Sequence, residues 1–205
     1  RRELDFRKEA RTSERVRDLF ASHPSVLVPA VDWERTTARV LTTDLVDGRA
    51  PAAAGELRGA GLDPDAVLRV GAEAVFRQIF EFGLFHADPH PGNLLLLPGD
   101  RVAFLDFGMF GRLSMRQRRA MAVVLQGMIT ADHAAAADQL LRLASRRPTA
   151  DPDGFRDAAA DLVEEWLAAE GRAGSIASLL LRQLALGARS GIVFPRDLLL
   201  LARAL

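Results

Sequence analysis

The chain has 205 residues, 49% of them apolar and 26% charged, which is typical of a globular domain with a hydrophobic core. The 27 basic and 27 acidic residues cancel, which argues against a nucleic-acid-binding protein and against an acidic disordered tail. The absence of cysteine excludes disulfides, thiolate catalysis and zinc bound through sulfur. The sequence has no run of about 18 apolar residues, the length that would predict a membrane span. Its charged first residues do not resemble a signal peptide.

The first 64 residues predict a helix, two short strands and a connector. Charged and apolar residues alternate over 1–21, which predicts an amphipathic helix. Strands are predicted over 26–31 and 39–45, and the second is followed by the turn signal Val46-Asp47-Gly48. Residues 49–64 are rich in Ala, Gly and Pro and predict a connector.

The rest of the chain predicts helices around one hairpin. Residues 94–97 and 102–105 are apolar, and the Pro98-Gly99-Asp100 turn between them predicts two paired strands. A helix is predicted before this hairpin over 65–82, with Leu68, Ala72, Val75, Ile79 and Phe82 on its inward stripe. After it, helices are predicted over 114–128, 132–144, 152–169, 175–188 and 195–205. The last two of these helices are expected either to pack into the domain or to lie on a membrane. Their arginines recur without forming a clean basic face, which favours packing.

The segment 85–112 holds the residues suited to chemistry. Asp88 and Asn93 lie five apart in a loop that contains two prolines, and Asp106 ends an apolar strand before Phe-Gly. Carboxylate and amide oxygens suit Mg²⁺, which takes substrate phosphates as further ligands. The other carboxylate, Asp88, is then available to orient a nucleophile or to accept its proton. The sequence contains an H-x-D-x-x-x-x-N motif, and a D-F-G motif begins thirteen residues after its asparagine. Protein kinases have the same two motifs in the same order.

With FHADPHPGNLLL followed by LDFGMFGRL, the chain resembles the UbiB/AarF/ADCK family of atypical protein-kinase-like proteins. The likeness runs from Glu3 to about Leu113 and continues more diffusely through the helical tail. It implies an α+β, protein-kinase-like fold: a partial N-lobe over 1–47, with helix C, two strands and a hinge, and a mostly helical C-lobe over 48–205. The family's KxGQ element, alanine-rich loop and strand lysine precede helix C and are absent from this sequence. We therefore expect an N-terminally truncated piece of a longer protein.

The resemblance also implies roles for individual residues. Asp88 would take the catalytic-loop role, while Asn93 and Asp106 would bind the metal. Glu9 would be the helix C glutamate that pairs with the family's lysine. Lys8, the only lysine, cannot replace that lysine because neighbouring helix residues do not face each other. The nucleotide-binding residues implied are Glu3 and Asp5 of an ExD element, the backbone of Asp44 and Val46, and Leu95 beneath adenine.

The function implied by the resemblance is that of an ATP-dependent kinase or ATPase, using ATP and Mg²⁺ in the full-length parent and linked to quinone or isoprenoid-lipid metabolism. The implied partners are a nucleotide, an isoprenoid lipid or quinone precursor and a membrane surface, without nucleic acid. The implied location is the cytoplasm or the inner face of the membrane. The oligomeric state is not indicated.

Other interpretations of the same residues remain open. One is a non-catalytic nucleotide- or lipid-binding regulatory module, and another is a phosphotransferase of the aminoglycoside or choline type, which usually shows D-x-D instead of D-F-G. A third is a metal-dependent hydrolase with His86, Asp88 and His90 as ligands, and the least specific is a polar loop that caps strands. The predicted strands before the hinge lack sheet partners in the sequence, which predicts open edges and marginal stability.

Overall fold

The computed structural model describes residues 5–88, 90–130, 132–169 and 175–204. It divides into two units, one formed by residues 1–82 and 88–110 and the other by 83–87 and 111–205. The predicted division into lobes after residue 47 stays a prediction. The helices are α1 (Phe6–Leu19), α2 (Ala54–Gly59), α3 (Pro64–Phe76), α4 (Met115–Ile129), α5 (His133–Leu143), α6 (Pro152–Ala168), α7 (Ile176–Arg189) and α8 (Arg196–Ala204). The strands are β1 (Val26–Leu27), β2 (Leu84–His86), β3 (Leu94–Leu97), β4 (Arg101–Phe104), β5 (Phe110–Arg112), β6 (Ser145–Arg146) and β7 (Ile192–Val193).

The first unit is built around a three-stranded sheet in the order β1-β4-β3. Strands β3 and β4 form the predicted antiparallel hairpin, with Leu94 opposite Phe104. Strand β1 pairs with β4 in parallel, Val26 opposite Val102, so the expectation that this strand lacks a partner is wrong. The pairing joins residues 76 positions apart, which local sequence patterns do not reveal.

Helix α1 lies on this sheet through Phe20, which directly follows its last residue. The Phe20 and Phe82 rings form a T-shaped pair with centroids 5.2 Å apart, and Phe20 stacks on Phe104 of β4 at 6.5 Å. Phe20 is 3% exposed. A buried aromatic cluster therefore connects the helix to the strand that leads into the D-F-G segment.

Two predictions for the first 64 residues are wrong. Residues 39–45 form no strand and make only one isolated antiparallel bridge, Thr43 opposite Val31. The hydroxyls of Thr36 and Thr37 accept hydrogen bonds from the backbone N–H groups of Thr42 and of residues 39 and 40, which competes with a regular ladder. The connector over 49–64 contains helix α2.

Helix α3 begins at Pro64, where the Asp63 side chain caps it, and continues into a π-helical turn over 77–82. The predicted stripe is only partly buried, because Leu68 is 71% exposed while Ile79 is 3% exposed. The inward face of α3 runs instead through Val67, Val70 and Ala74. The helix is therefore rotated by about one residue from the predicted orientation.

The second unit is helical, with two small sheets, β2 with β5 and β6 with β7. Helices α4 to α8 lie where the sequence predicts them, and α4 begins with a capping box between Ser114 and Gln117. The apolar faces of the last two helices are buried, as expected for packing. No helix within the described ranges is long and apolar enough to cross a membrane. The side chains at the centre of this core are Leu140, Phe155, Val163, Leu179, Leu184, Leu198 and Leu201.

Gly111 in β5 shows how closely the strands of the second unit approach each other. A Cβ placed on Gly111 would lie 2.2 Å from Cζ of Phe85, far inside van der Waals contact. Phe85 is itself 2% exposed and cannot move aside without opening the core. Only glycine fits at this position.

Candidate active site

The hairpin of β3 and β4 brings Asn93 and Asp106 together. Asn93 ends the short 3₁₀ turn before β3. Asp106 comes after β4, with Leu105 between the end of the strand and the carboxylate residue. Because the strands are antiparallel, the start of β3 and the end of β4 lie at the same end of the hairpin. The Leu105 N–H donates to the Asn93 carbonyl at 2.9 Å and extends the pairing up to the two polar residues.

The Asp106 carboxylate is held at both oxygens. Asn93 Nδ2 donates to Oδ2 at 3.1 Å, and the Gly108 N–H donates to Oδ1 at 2.8 Å. A carboxylate has about four acceptor sites, so these two hydrogen bonds leave lone pairs on Asp106 available. Because Nδ2 of Asn93 donates to Asp106, this contact also fixes the orientation of the side-chain amide and its oxygen. This arrangement fixes the Asp106 carboxylate beside the Asn93 side-chain amide.

Glu9 of α1 adds a second carboxylate to this group. A Cβ placed on Gly108 would lie 3.2 Å from Asp106 Oδ1 and 3.4 Å from Glu9 Oε2, so both oxygens lie over the glycine. Burial and the negative charge and hydrogen bonding of Asp106 raise the pKa of Glu9, and the Phe107 N–H partly offsets this by donating to it. Neither carboxylate has an ion pair within the described residues.

This donor set suits a hard divalent cation. Two adjacent carboxylates repel each other, and a cation between or beside them would remove that repulsion. The described residues contain no group of three or more His, Asp or Glu side chains placed to hold a metal ion. The Asp106 and Glu9 carboxylates and the Asn93 amide are the donor types that Mg²⁺ takes in nucleotide sites, where water and ligand phosphates complete its coordination. The hydrolase interpretation, with His86, Asp88 and His90 as a three-ligand metal site, is not supported by this geometry.

The raised pKa of Glu9 predicts a specific pH dependence of stability. Folding moves this pKa upward from its ordinary value of 4.5, so above that pH the folded state binds more protons than the unfolded state. The free energy of unfolding therefore falls as the pH rises from 4.5 through the folded-state pKa. In magnesium-free buffer, Glu9→Gln is expected to show a smaller loss of Tm between acidic and neutral pH than the unsubstituted protein.

Thermal melts over this pH range measure the effect, with Asp18→Asn, an exposed change on the same helix, as the control. The Glu9→Gln side chain can still accept the hydrogen bond from Phe107, so the difference isolates the charge. Parallel pH profiles for Glu9→Gln and the unsubstituted protein would show that Glu9 carries no unfavourable charge.

Of the residues assigned to the nucleotide base, Leu95 lies in β3, and Asp44 and Val46 lie in the irregular segment just before Gly48 and Arg49. Gly48 and Arg49 run beside β3, where Arg49 and Leu96 exchange backbone hydrogen bonds of 3.0 and 2.8 Å. A Cβ on Gly48 would lie 2.9 Å from Leu95 Cβ, so the hinge approaches Leu95 closely. The Asp44 N–H donates to the Ala30 carbonyl at 2.9 Å, and among the described residues the Asp44 carbonyl and the Val46 N–H have no backbone partner.

The other predicted residues have more limited structural support. Asp88 is exposed, and its carbonyl accepts the His90 N–H at 2.7 Å. His90 Nδ1 accepts the Gly92 N–H at 3.0 Å, so this side chain braces the loop. The role of Asp88 stays a prediction. Asp5 is the N-cap of α1 and accepts a hydrogen bond from Arg7 N–H at 3.2 Å, and its nucleotide role is also untested. Glu3 lies outside the described residues.

Three contributors to the site were not predicted from the sequence. Gly108 leaves room for two carboxylates, the Phe107 N–H binds Glu9, and Gly48 permits the hinge to approach Leu95. The D-F-G motif and the Val-Asp-Gly turn were the signals that could have indicated them. A glycine beside a carboxylate or at a hinge often marks close backbone approach.

Comparison with known proteins gives a consistent family. The model of the ABC1 atypical kinase-like domain matches residues 1–140. An uncharacterized protein of Synechocystis sp. is 34% identical over 149 residues, covering 73% of this chain and 26% of that protein. The chloroplastic protein ACTIVITY OF BC1 COMPLEX KINASE 3 of Arabidopsis thaliana is 33% identical over 165 residues, covering 80% of this chain and 23% of that protein. The chain spans about a quarter of the length of these curated relatives.

A solved structure shares the fold. The complex of Rv3197 with erythromycin from Mycobacterium tuberculosis aligns with a TM-score of 0.56 over 80% of this chain and 42% of that chain. The sequence identity is 22%, so this similarity supports the fold alone.

Proposed function

Because the chain belongs to the ABC1 atypical kinase-like domain family, we propose that it carries the metal-binding and phosphate-positioning residues of an ATP-dependent kinase or ATPase, active in the full-length protein. The observation that carries the proposal is the 3.1 Å hydrogen bond between Asn93 and Asp106, beside Glu9. In protein kinases the D-F-G aspartate and the catalytic-loop asparagine hold Mg²⁺ on the nucleotide phosphates.

Magnesium would be held by the Asp106 carboxylate and the Asn93 amide oxygen, and when bound it would neutralise charge on the transferred phosphate. The hydrogen bonds from Asn93 Nδ2 and the Gly108 N–H orient Asp106 before any ligand arrives. Preorganised donors of this kind need little rearrangement during the reaction. Glu9 increases the local negative charge and so the attraction for a cation.

The nucleotide base is proposed to meet the hinge backbone at its edge and to lie over Leu95. The Asp44 carbonyl and the Val46 N–H would hydrogen-bond to adenine, and the Leu95 side chain would contact its face. The support is the close approach of Gly48 to Leu95, which brings the hinge backbone and this side chain to one place. Glu3 and Asp5 are proposed to contribute near the phosphates, from the family resemblance alone.

Asp88 is proposed to orient the attacking hydroxyl or water and to accept its proton. Such a group acts mainly by positioning, since phosphoryl transfer needs little covalent chemistry from the protein. The exposed position of Asp88 in the same loop as Asn93 leaves it accessible to an acceptor.

The acceptor and location are proposed from the family resemblance. We propose a role in quinone or isoprenoid-lipid metabolism, with an isoprenoid lipid or quinone precursor as partner and without nucleic acid. The proposed location is the cytoplasm or the inner face of the membrane. The family includes relatives named for activity of the bc1 complex.

Asp106→Asn in the full-length protein tests the metal assignment. The substitution removes the negative charge and keeps the size of the side chain. We expect the factor by which Mg²⁺ strengthens ATP binding to be at least about tenfold larger for the unsubstituted protein than for the variant, in line with the loss of one charged contact. Calorimetric titration with ATP, with and without Mg²⁺, measures both affinities.

Asp65→Asn, an exposed carboxylate at the start of α3, is the matched control and should keep the full effect of Mg²⁺. If Mg²⁺ strengthens ATP binding to Asp106→Asn as much as to the control, the metal assignment is wrong. Tight Mg-ATP binding without any turnover of ATP would support the non-catalytic nucleotide-binding module instead.

A further inference from the structure

The second unit contains a cavity between α4 and α5 that is lined by cations and by no anion. Its volume is about 780 Å³, within the range of about 300–1,000 Å³ that small-molecule sites occupy. None of its residues belongs to the candidate active site. The lining residues are Met115, Arg116, Arg119, Ala120, Val123, Gln139, Arg142 and Leu143.

The charges of this cavity are unbalanced. Arg116, Arg119 and Arg142 make no ion pair within the described parts of the chain. Helix α4 contains no acidic residue, and the only acidic residue of α5, Asp138, pairs with Arg156 at 2.8 Å. Three guanidinium groups around one space repel each other unless an anion lies between them.

A second cavity in the same unit shows that this imbalance is not general. The space between α6 and α7, about 400 Å³, is lined by two acidic and two basic residues. Arg182 and Glu165 in it form an ion pair of 3.0 Å, and Asp161 and Arg189 complete the neutral set. Arginine-rich composition alone therefore does not explain three unpaired cations around the α4–α5 cavity.

One of the three arginines is already fixed in place. The Arg116 guanidinium donates to the carbonyl of Arg142, close to the C-terminal end of α5, where backbone carbonyls lack helical partners. Arg119 and Arg142 are exposed, and their guanidinium groups have no hydrogen-bond or ion-pair partner among the residues that the structure describes. The floor between them is apolar, with Ala120 buried and Val123 and Leu143 half-buried.

We propose that the α4–α5 cavity binds a phosphate monoester with an apolar body. A phosphate monoester carries about −1.5 to −2 charges near neutral pH, which balances several guanidinium groups better than a single carboxylate does. Arginine also matches phosphate oxygens through paired hydrogen bonds. The apolar floor and the size of the cavity then accommodate a hydrocarbon group next to the phosphate.

Calorimetric titration of the full-length protein with hexyl phosphate, butyl phosphate and inorganic phosphate tests this proposal. Hexyl phosphate is expected to bind with 1:1 stoichiometry and about 16-fold more tightly than butyl phosphate, since each of the two additional buried methylenes strengthens binding about fourfold. Arg119→Gln and Arg142→Gln are each expected to weaken this binding by about tenfold or more. Arg189→Gln, in the neutral α6–α7 cavity, is the matched control and should leave it unchanged.

Four results would overturn the proposal. The first is that hexyl phosphate does not bind, and the second is that hexyl phosphate and inorganic phosphate bind with equal affinity. The third is that Arg142→Gln and Arg189→Gln weaken hexyl phosphate binding equally. The fourth is that the protein binds only phosphatidylglycerol vesicles, which would indicate a membrane surface instead. The Asp106→Asn protein should retain hexyl phosphate binding, so a failure of the metal assignment and a failure of this proposal give different results. Melting temperatures confirm that the arginine variants are folded.

Discussion

Replacing Asp88 with asparagine in the full-length protein is expected to lower kcat for ATP turnover by about 10²- to 10⁴-fold, because the variant cannot accept the proton of the attacking group. The affinity for Mg-ATP should be unchanged, since Asp88 is proposed to act on the acceptor and the metal is assigned to Asn93 and Asp106. Steady-state phosphate release together with ATP titration separates the two quantities.

Asp157→Asn, an exposed carboxylate on α6, serves as the control and should retain full kcat. An unchanged kcat in Asp88→Asn would remove Asp88 from the mechanism. A parallel loss of Mg-ATP affinity would instead place this carboxylate among the metal-binding residues.

Phe20→Ala is expected to lower the free energy of unfolding by about 3–5 kcal/mol, the cost typical of deleting a buried aromatic ring. Phe20 is 3% exposed and contacts Phe82 and Phe104, so its removal leaves a cavity between α1 and the sheet. Because α1 carries Glu9 and β4 leads to Asp106, the loss should also disturb the carboxylate pair.

Chemical denaturation measures the change, and Phe6→Ala on the same helix is the control. Phe6 is 39% exposed, so its truncation should be much less costly. Phe20→Leu, which retains most of the buried volume, should fall between the two. Equal destabilisation by Phe6→Ala and Phe20→Ala would show that the aromatic cluster does not anchor the helix.

The hairpin and its polar ends could be predicted because their signals are local. Two apolar runs separated by Pro98-Gly99-Asp100 predict the paired strands, and the structure confirms them as β3 and β4. Once those strands pair, chain geometry alone brings Asn93 close to Asp106. The helices of the second unit were predictable for the same reason, since their caps and periodicity lie within each segment.

The segment before the hinge was predicted less well. Its segment over 39–45 is rich in β-forming residues, but the hydroxyls of Thr36 and Thr37 bind the backbone there. Composition indicates β propensity, which the surrounding contacts can override. The exposure of Leu68 has a similar origin, because periodicity predicts a helix more reliably than it predicts which side of that helix is buried.

The sequence by itself determined the family of this protein, the hairpin and the order of its polar motifs, because each depends on residues close together in the chain. Only the tertiary structure placed Glu9 beside Asp106, paired Val26 with Val102 and gathered three arginines around one cavity. These contacts join residues from about 25 to nearly 100 positions apart, and they form because burial of apolar surface brings distant segments together. Local sequence patterns carry no record of which distant partner a segment will meet.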